Sequence, residues 1–435
     1  MRRNAPALAA LVTALMGISA PAQAAEPGKS PGILWGISES GMEFGKGPIA
    51  GTNYAVPDPT YYLQRGVRLV RVPFQIVRLQ PVPEGPLDPA VLGYLKAIAR
   101  QDAAAGAVTV LDPHAYGTYP INGKPQDILK NPAAADAYVD LMGKIAASFF
   151  AGDVAIALMN EPHTGADTDY APVWNRAIAA IRQAGFHGVI LVPHAHWSTA
   201  SDITPAKPYA GVIIDPENNW VLELHCYLDP DNTGTYKKPV PSIGIGAARI
   251  AGAIAWSRLS HVRLFLGETG APADGASLAA LQTMFDAIAA APDAFWGVAL
   301  WGAGPWWNPK YPMHLDPTAG VDTPQFRTLE TMITPEMLYF ARDPGGPDPV
   351  IQIDIDARKP PLTATITALR NAVPQVVVIK SQLSTGVHTV VVTPLSRPSG
   401  DIYIIDSTWK GIPNSSGSFA KLTGRGYKFE IKAAN

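Results

Sequence analysis

The stretch Val154-Ala155-Ile156-Ala157-Leu158-Met159-Asn160 decides the fold. It is a short, continuous apolar run that closes on a polar residue. A strand with one wet face alternates apolar and polar residues. A parallel strand covered by helices is buried on both faces and does not alternate. The run therefore reads as a buried parallel strand. Working outward, runs of the same kind recur at residues 34–38, 67–73, 107–113, 188–194, 221–227, 262–268 and 296–301, which makes eight in all.

Helical patterns fill the gaps between them. Asp88-Pro89 supplies a capping residue and a first-turn proline, and Gly106 stops that helix. Asn131-Pro132 opens the next. Residues 167–184 carry apolar side chains at helical spacing and end at Gly185, and residues 243–259 and 276–290 behave likewise. Eight strand–helix repeats predict a (β/α)8 TIM barrel, with an open doubly wound sheet as the competitor. No Gly-rich phosphate loop follows the first run, which weighs against the open sheet. The barrel is expected over residues 25–342.

Asp343-Pro344-Gly345-Gly346-Pro347-Asp348-Pro349 reads as a turn-rich linker, residues 343–349. Beyond it the period changes to two. Ile351, Ile353 and Ile355 alternate with Gln352 and Asp354, and Tyr427, Phe429 and Ile431 alternate with Lys428 and Glu430. A small antiparallel, β-sandwich-like accessory domain is expected over residues 350–435. Tyr403, Trp409 and Tyr427 are its candidates for touching a polysaccharide, but with so few aromatics a structural role is favoured.

Residues 1–24 read as a signal peptide. Arg2 and Arg3 are basic, residues 7–16 are apolar but too short to span a bilayer, and Ala22-Gln23-Ala24 has the small-x-small cleavage pattern. The mature chain is expected to start near Ala25, to be secreted (extracellular or periplasmic), and to keep no membrane attachment. The chain holds 34 Lys and Arg against 36 Asp and Glu, so it has no electrostatic footprint for nucleic acid or an anionic membrane. It is expected to act as a monomer. Cys226 is the single cysteine, so no internal disulfide forms and a buried strand thiol is expected.

Polar, reactive residues recur at the C-terminal ends of the runs, which in a barrel form the active-site face. The second run ends near Arg71 and the third near Asp112-Pro113-His114. The fourth ends Asn160-Glu161-Pro162, the sixth His225-Cys226-Tyr227, the seventh Gly267-Glu268 and the eighth at Trp301. The fourth and seventh ends face each other across a barrel mouth, and both carry glutamates. Glycoside hydrolysis needs such a pair, one to protonate the leaving oxygen and one to act from the other face of the sugar. Glu161 and Glu268 are therefore the catalytic candidates. Trp197, Trp301, Trp306 and Trp307 fall on or beside loops of that face, where aromatic platforms suit the apolar faces of sugars. His114, His194, His196 and His225 also allow a metal reading, but no ligand spacing points to one centre, and no cofactor is expected.

This set of strand ends resembles glycoside hydrolase family 5, in particular its cellulase branch. Gly36-Ile37-Ser38, followed by Gly41-Met42-Glu43-Phe44-Gly45, is similar to that branch's opening motif. Leu224-His225-Cys226-Tyr227-Leu228-Asp229, running into Asp231-Asn232-Thr233-Gly234-Thr235, is similar to its sixth strand end. The resemblance covers roughly residues 33–310. It implies Glu161 as acid/base and Glu268 as nucleophile. Asn160 would hold the substrate 2-hydroxyl, while Arg71 and Tyr227 would hydrogen-bond or neutralise the nucleophile. His114 and His225 would line the cleaved subsite, and Trp301 would be its floor. Trp197, from its place on a loop of the active face, is expected to bind substrate as well. The implied activity is that of a retaining endo-β-1,4-glucanase acting on a β-glucan polysaccharide. A β-mannanase or other β-1,4-glycanase is the nearest alternative, and a non-catalytic carbohydrate-binding protein is the second. One departure stands out: after the fifth strand the branch usually has a Gly-Asn type turn, where this chain reads His194-Ala195-His196-Trp197.

Overall fold

The structure is a computed structural model that describes residues 32–333 with their side chains, Pro208 and Ala319 excepted. The expected signal peptide, linker and C-terminal β-domain lie outside these residues. The eight runs become eight strands: β1 (Leu34–Glu39), β2 (Leu69–Phe74), β3 (Val108–Pro113), β4 (Val154–Ala157), β5 (Ile190–Val192), β6 (Trp220–His225), β7 (Leu264–Thr269) and β8 (Phe295–Ala303). They pair in parallel, each with its sequence neighbours, and β8 closes onto β1. The sheet is a closed barrel, and the open-sheet competitor falls away.

The helices start and stop where the chain chemistry says they should. Helix α1 (Pro89–Ala104) begins with the Asp88 carboxylate accepting from the amides of Ala90 and Val91 at 2.9 and 3.0 Å. Those amides have no carbonyl partner in the first turn, so the side chain satisfies them. Asn131 caps α2 (Pro132–Ala146) in the same way. Gly106 and Gly185 sit just past α1 and α3 (Asp167–Gln183) at φ 74° and 82°, left-handed backbone that glycine adopts without a Cβ clash. Helices α4 (Ile245–Ser260), α5 (Gly275–Ala289) and α6 (Pro324–Glu330) complete the outer layer. Two crossovers are not full helices. The one after β1 carries only the single turn Thr60–Leu63, and the one after β5 carries the 3-10 turns Ala200–Asp202 and Pro208–Gly211. Pro205 and Pro208 in the latter remove amide donors that a continuous helix would need.

The barrel interior is layered. Leu69, Val110, Ala155, Ala157, Leu191, Val221, Phe265 and Ala299 form a closed apolar cluster of their own. Side chains of a strand alternate between faces, so two residues further along the same strands the interior is filled by Arg71, Asp112 and Glu223. Trp301, two beyond Ala299, and His225, two beyond Glu223, come next at the rim. The β6–β7 pairing slips at this level: Leu224 pairs with Leu266, but His225 pairs with Glu268. That irregularity breaks the alternation of β7 and brings Glu268 opposite His225.

Candidate active site

The polar layer is organised by one guanidinium. Arg71 is fully buried, and three carboxylates surround it. Its Nη2 lies 3.1 Å from Asp112, its Nε 3.3 Å from Glu223 and its Nη1 3.0 Å from Glu268. Burial works against the charge, but Asp112, Glu268 and Glu223 together hold Arg71 charged and raise its pKa. A planar fork with five donors can serve several acceptors at once, which a lysine could not. Arg71 Nη2 also donates to Asn160 Oδ1 at 2.7 Å, so the same side chain orients the amide expected to meet the substrate.

Glu268 is buried at the end of β7. Its Oε1 accepts from Arg71 Nη1, and its Oε2 accepts from the Tyr227 hydroxyl at 2.8 Å. Both oxygens thus face donors, which fixes the orientation of the carboxyl group. Burial and the Glu268 charge push the Tyr227 phenol up, so Tyr227 stays a donor.

Glu161 follows the end of β4 at φ 43°. A non-glycine residue in this region stores roughly 1–3 kcal/mol of backbone strain, held by its surroundings. Its Oε1 lies 2.8 Å from His225 Nδ1. Burial pushes the Glu161 carboxyl up, but the hydrogen bond from His225 and the charges of His225, His114 and Arg71 leave it below the ordinary carboxylate value. Burial pushes His225 down, but Glu268, Glu161 and Glu223 raise it to about 10. These two opposite shifts describe one proton shared across a 2.8 Å contact. The pair belongs together, and as a pair it keeps that proton at neutral pH. One donor atom each from Glu161, His225 and Glu268 lie within 4.8 Å of one another.

The remaining expected residues fall around this centre. His114 Nδ1 lies 2.9 Å from Asp112, its Nε2 lies 3.0 Å from the Tyr116 hydroxyl, and its ring is nearly parallel to Trp301 at 6.1 Å. A cavity of about 410 Å³ opens above them. Its walls include His114, Glu161, Tyr227, Glu268 and Trp301, together with Phe44, Tyr116, Tyr311 and the loop Thr233–Thr235. Trp306 is exposed and stacks on Phe44 at 5.1 Å, while Trp307 is partly covered and stacks on Tyr311 at 4.0 Å. Trp197 does not line this cavity. It is half-exposed, with its ring parallel to that of His163 at 4.7 Å, on the turn where the chain reads His194-Ala195-His196-Trp197. His196, Trp197 and Ser198 all have left-handed backbone, φ 60°, 58° and 52°. Gly and Asn adopt that region at least cost, which gives a physical reason for a Gly-Asn turn in the branch. His194 is fully buried and does not line the cavity; burial and the nearby Lys207 charge lower it to about 3. Among the described residues, the histidines weighed for a metal are therefore not gathered at one point; only His225 joins a close donor group.

Three participants had no role in the sequence reading. Asp112 and Glu223 flank Arg71, and Glu43 is buried near His114, with burial pushing its carboxyl up to about 7. Each had one signal: a carboxylate inside an otherwise apolar run or beside a reactive strand end.

Two carboxyl side chains facing one another across a barrel mouth, over a sugar-sized cavity floored by tryptophan, define a glycoside hydrolase of the (β/α)8 class. The comparisons narrow this. The family model for cellulase, glycosyl hydrolase family 5, matches residues 59–304. The chain is 32% identical over 311 residues to the endoglucanase gh5-1 of Neurospora crassa, covering 69% of this chain and 77% of that protein. Among solved structures, a triple mutant of an endo-β-1,4-glucanase from Xanthomonas axonopodis pv. citri is 32% identical, with a TM-score of 0.64, over 69% of this chain and 99% of that one. XacCel5A in complex with cellopentaose is 31% identical, with the same TM-score of 0.64, over 69% of this chain and 99% of its own. The chain belongs to glycosyl hydrolase family 5.

Proposed function

We propose that the protein is a secreted endo-β-1,4-glucanase that hydrolyses internal bonds of a β-glucan by a retaining, two-step displacement. The observation that carries the mechanism is the approach of the two carboxyl groups: their nearer oxygens lie within 4.8 Å of each other, and both face His225 Nδ1, at 2.8 and 3.5 Å. A retaining pair stands about 5–5.5 Å apart, and an inverting pair needs about 6.5–9.5 Å to seat a water. The Glu268 carboxylate attacks the anomeric carbon, and Glu161 gives its proton to the leaving oxygen. Water then enters on the vacated side, Glu161 takes its proton, and the sugar leaves Glu268. Arg71 and Tyr227 hold Glu268 aimed through a hydrogen bond to each oxygen, and Asn160, oriented by Arg71, is placed for the 2-hydroxyl. The cellopentaose bound by XacCel5A supports a β-1,4-linked glucan as the polymer.

The test is the configuration of the first product. On soluble β-glucans the β-anomer is expected to appear first by NMR and to mutarotate later. An α-product would overturn the retaining assignment. Reducing-sugar release from soluble cellulose derivatives is expected to exceed release from mannans; the reverse preference would replace the glucanase reading.

Export and the two-part organisation are proposed on residues 1–24 and on the change of period after residue 349. The C-terminal segment is proposed as an antiparallel β-domain of structural role, and the protein as a monomer. Expressed with its leader and stopped at Asp343, the protein is expected outside the cytoplasm, beginning at Ala25 and active on soluble substrate. A chain that still begins at Met1 would overturn the cleavage. Loss of soluble, active protein would show that the two parts share a core.

A further inference from the structure

We infer that Glu223 is a positioning residue for the acid/base step: it holds a proton on His225 Nε2, so that Nδ1 is left to exchange a proton with Glu161. The inference rests on the acid/base role proposed for Glu161.

Glu223 is fully buried in β6, two residues before His225, so both side chains point into the barrel. Its Oε1 stands between two nitrogens, 3.5 Å from His225 Nε2 and 3.3 Å from Arg71 Nε. A carboxylate held against a guanidinium is an acceptor, so this geometry favours a proton on the imidazole nitrogen that faces it. The other nitrogen, Nδ1, faces the two catalytic glutamates, 2.8 Å from Glu161 and 3.5 Å from Glu268. With Nε2 protonated, a neutral imidazole accepts at Nδ1 from protonated Glu161. An imidazolium donates at Nδ1 to the Glu161 carboxylate. The same heavy-atom contact serves both states, so the proton passes between them without rearrangement. In the first chemical step Glu161 gives that proton to the leaving oxygen, and in the second it regains one from water. His225 keeps its Nε2 proton throughout.

Glu223 Oε2 is buried and has no hydrogen-bond partner among the described residues, which is costly for a carboxylate. The fold also makes room for it: a Cβ on Gly267 of β7 would fall 2.3 Å from Glu223 Oε1. Its charge is not spent on Arg71 alone, because Asp112 and Glu268 already flank that guanidinium. With His225 on its own strand and Arg71 opposite, Glu223 offsets the burial that would otherwise strip the proton from the Glu161–His225 pair.

Glu223→Gln keeps the shape and one acceptor oxygen and removes the charge. The basic limb of the kcat/KM profile, where the pair loses its proton, is expected to move down by about one pH unit or more, with KM little changed. Glu223→Asp, which keeps the charge, is expected to restore the limb most of the way. A loss of activity with the limb in its wild-type place, or an equal shift in both variants, would overturn the inference. A second measurement needs no variant in this position: 15N NMR of the wild-type histidines, with His225 assigned by its loss in His225→Asn. The expected result is a proton on Nε2 across the whole active pH range; a neutral ring protonated only at Nδ1 would overturn the inference. This readout reports the tautomer whether or not Glu161 is the acid. A failed acid/base role would show instead in the products of Glu161→Ala with azide, so the two failures are distinguishable.

Discussion

Glu268→Ala is expected to lower kcat by about 10⁴-fold or more, because no other group can form the covalent intermediate. The side chain is buried against Arg71 and Tyr227, and its removal leaves a small space beneath the anomeric carbon with two donors still facing it. Azide, small and anionic, fits that description. Added azide should restore turnover and yield an α-glycosyl azide from a β-glucan, since it attacks from the side Glu268 occupied. Glu161→Ala should behave in the opposite sense. There the nucleophile is intact, azide stands in for the deprotonated water, and the product should be the β-azide. NMR of the azide products reads both. A β-azide from Glu268→Ala, or turnover near the wild-type level without azide, would remove the nucleophile role from this residue.

Arg71→Met is expected to destabilise the fold by about 3–5 kcal/mol near neutral pH, the cost of leaving buried charge without its partner. Three carboxylates, Asp112, Glu223 and Glu268, lie within 3.3 Å of the guanidinium, and Asp112 and Glu223 have no solvent to turn to. The pH dependence follows with a definite sign. In the wild type, burial pushes Asp112 up, but Arg71 and His114 outweigh it and leave its pKa depressed. That group adds stability above its unfolded pKa, and the contribution is lost as pH falls through the folded value. Without Arg71 the buried carboxyls are raised instead. Their folded forms then favour protonation, so stability is present at low pH and lost as pH rises. The deficit of the variant against wild type should therefore be greatest at pH 7 and above and shrink toward pH 4, as urea unfolding at several pH values would show. A deficit that does not change with pH would mean that Arg71 acts by packing alone. Arg71→Lys should recover only part of the loss, because a point charge cannot serve three acceptors in one plane.

Much of this site is written where a reader of the chain can find it. Glu161 and Glu268 each interrupt an apolar run at its end, and Asn160, His225, Tyr227 and Trp301 share that position on their own strands. Strand ends of a parallel barrel have one destination, so these residues could be grouped before any coordinate was known. Glu223 was overlooked for the converse reason. It lies inside a run, in Trp220-Val221-Leu222-Glu223-Leu224-His225, where a single charge is easily passed over as a tolerated exception. Its spacing of two from His225 was the available clue. Trp197 stands on the turn after β5, where its half-exposed ring stacks on His163 and does not line the cavity. Three successive left-handed residues set that direction, and no propensity of His196, Trp197 or Ser198 announces them.

The chain by its own pattern specified eight buried parallel strands with helices between them, because apolar runs separated by capped helices have few ways to bury both faces of every strand; closure of the sheet came from the structure. The chain also determined which side chains stand at the mouth, because the direction of a parallel strand fixes which end faces the catalytic loops. Only the tertiary structure decided how those side chains share charge. Arg71 meets Asp112, Glu223 and Glu268 from three other strands, and the slipped register between β6 and β7 turns Glu268 toward His225. Those distances of about 3 Å come from barrel closure. Protonation depends on them steeply, since in a buried site the interaction between charges falls with separation and is barely screened. The chain could name the glutamates, but which of them shares a proton, and with which histidine, is a property of the closed barrel.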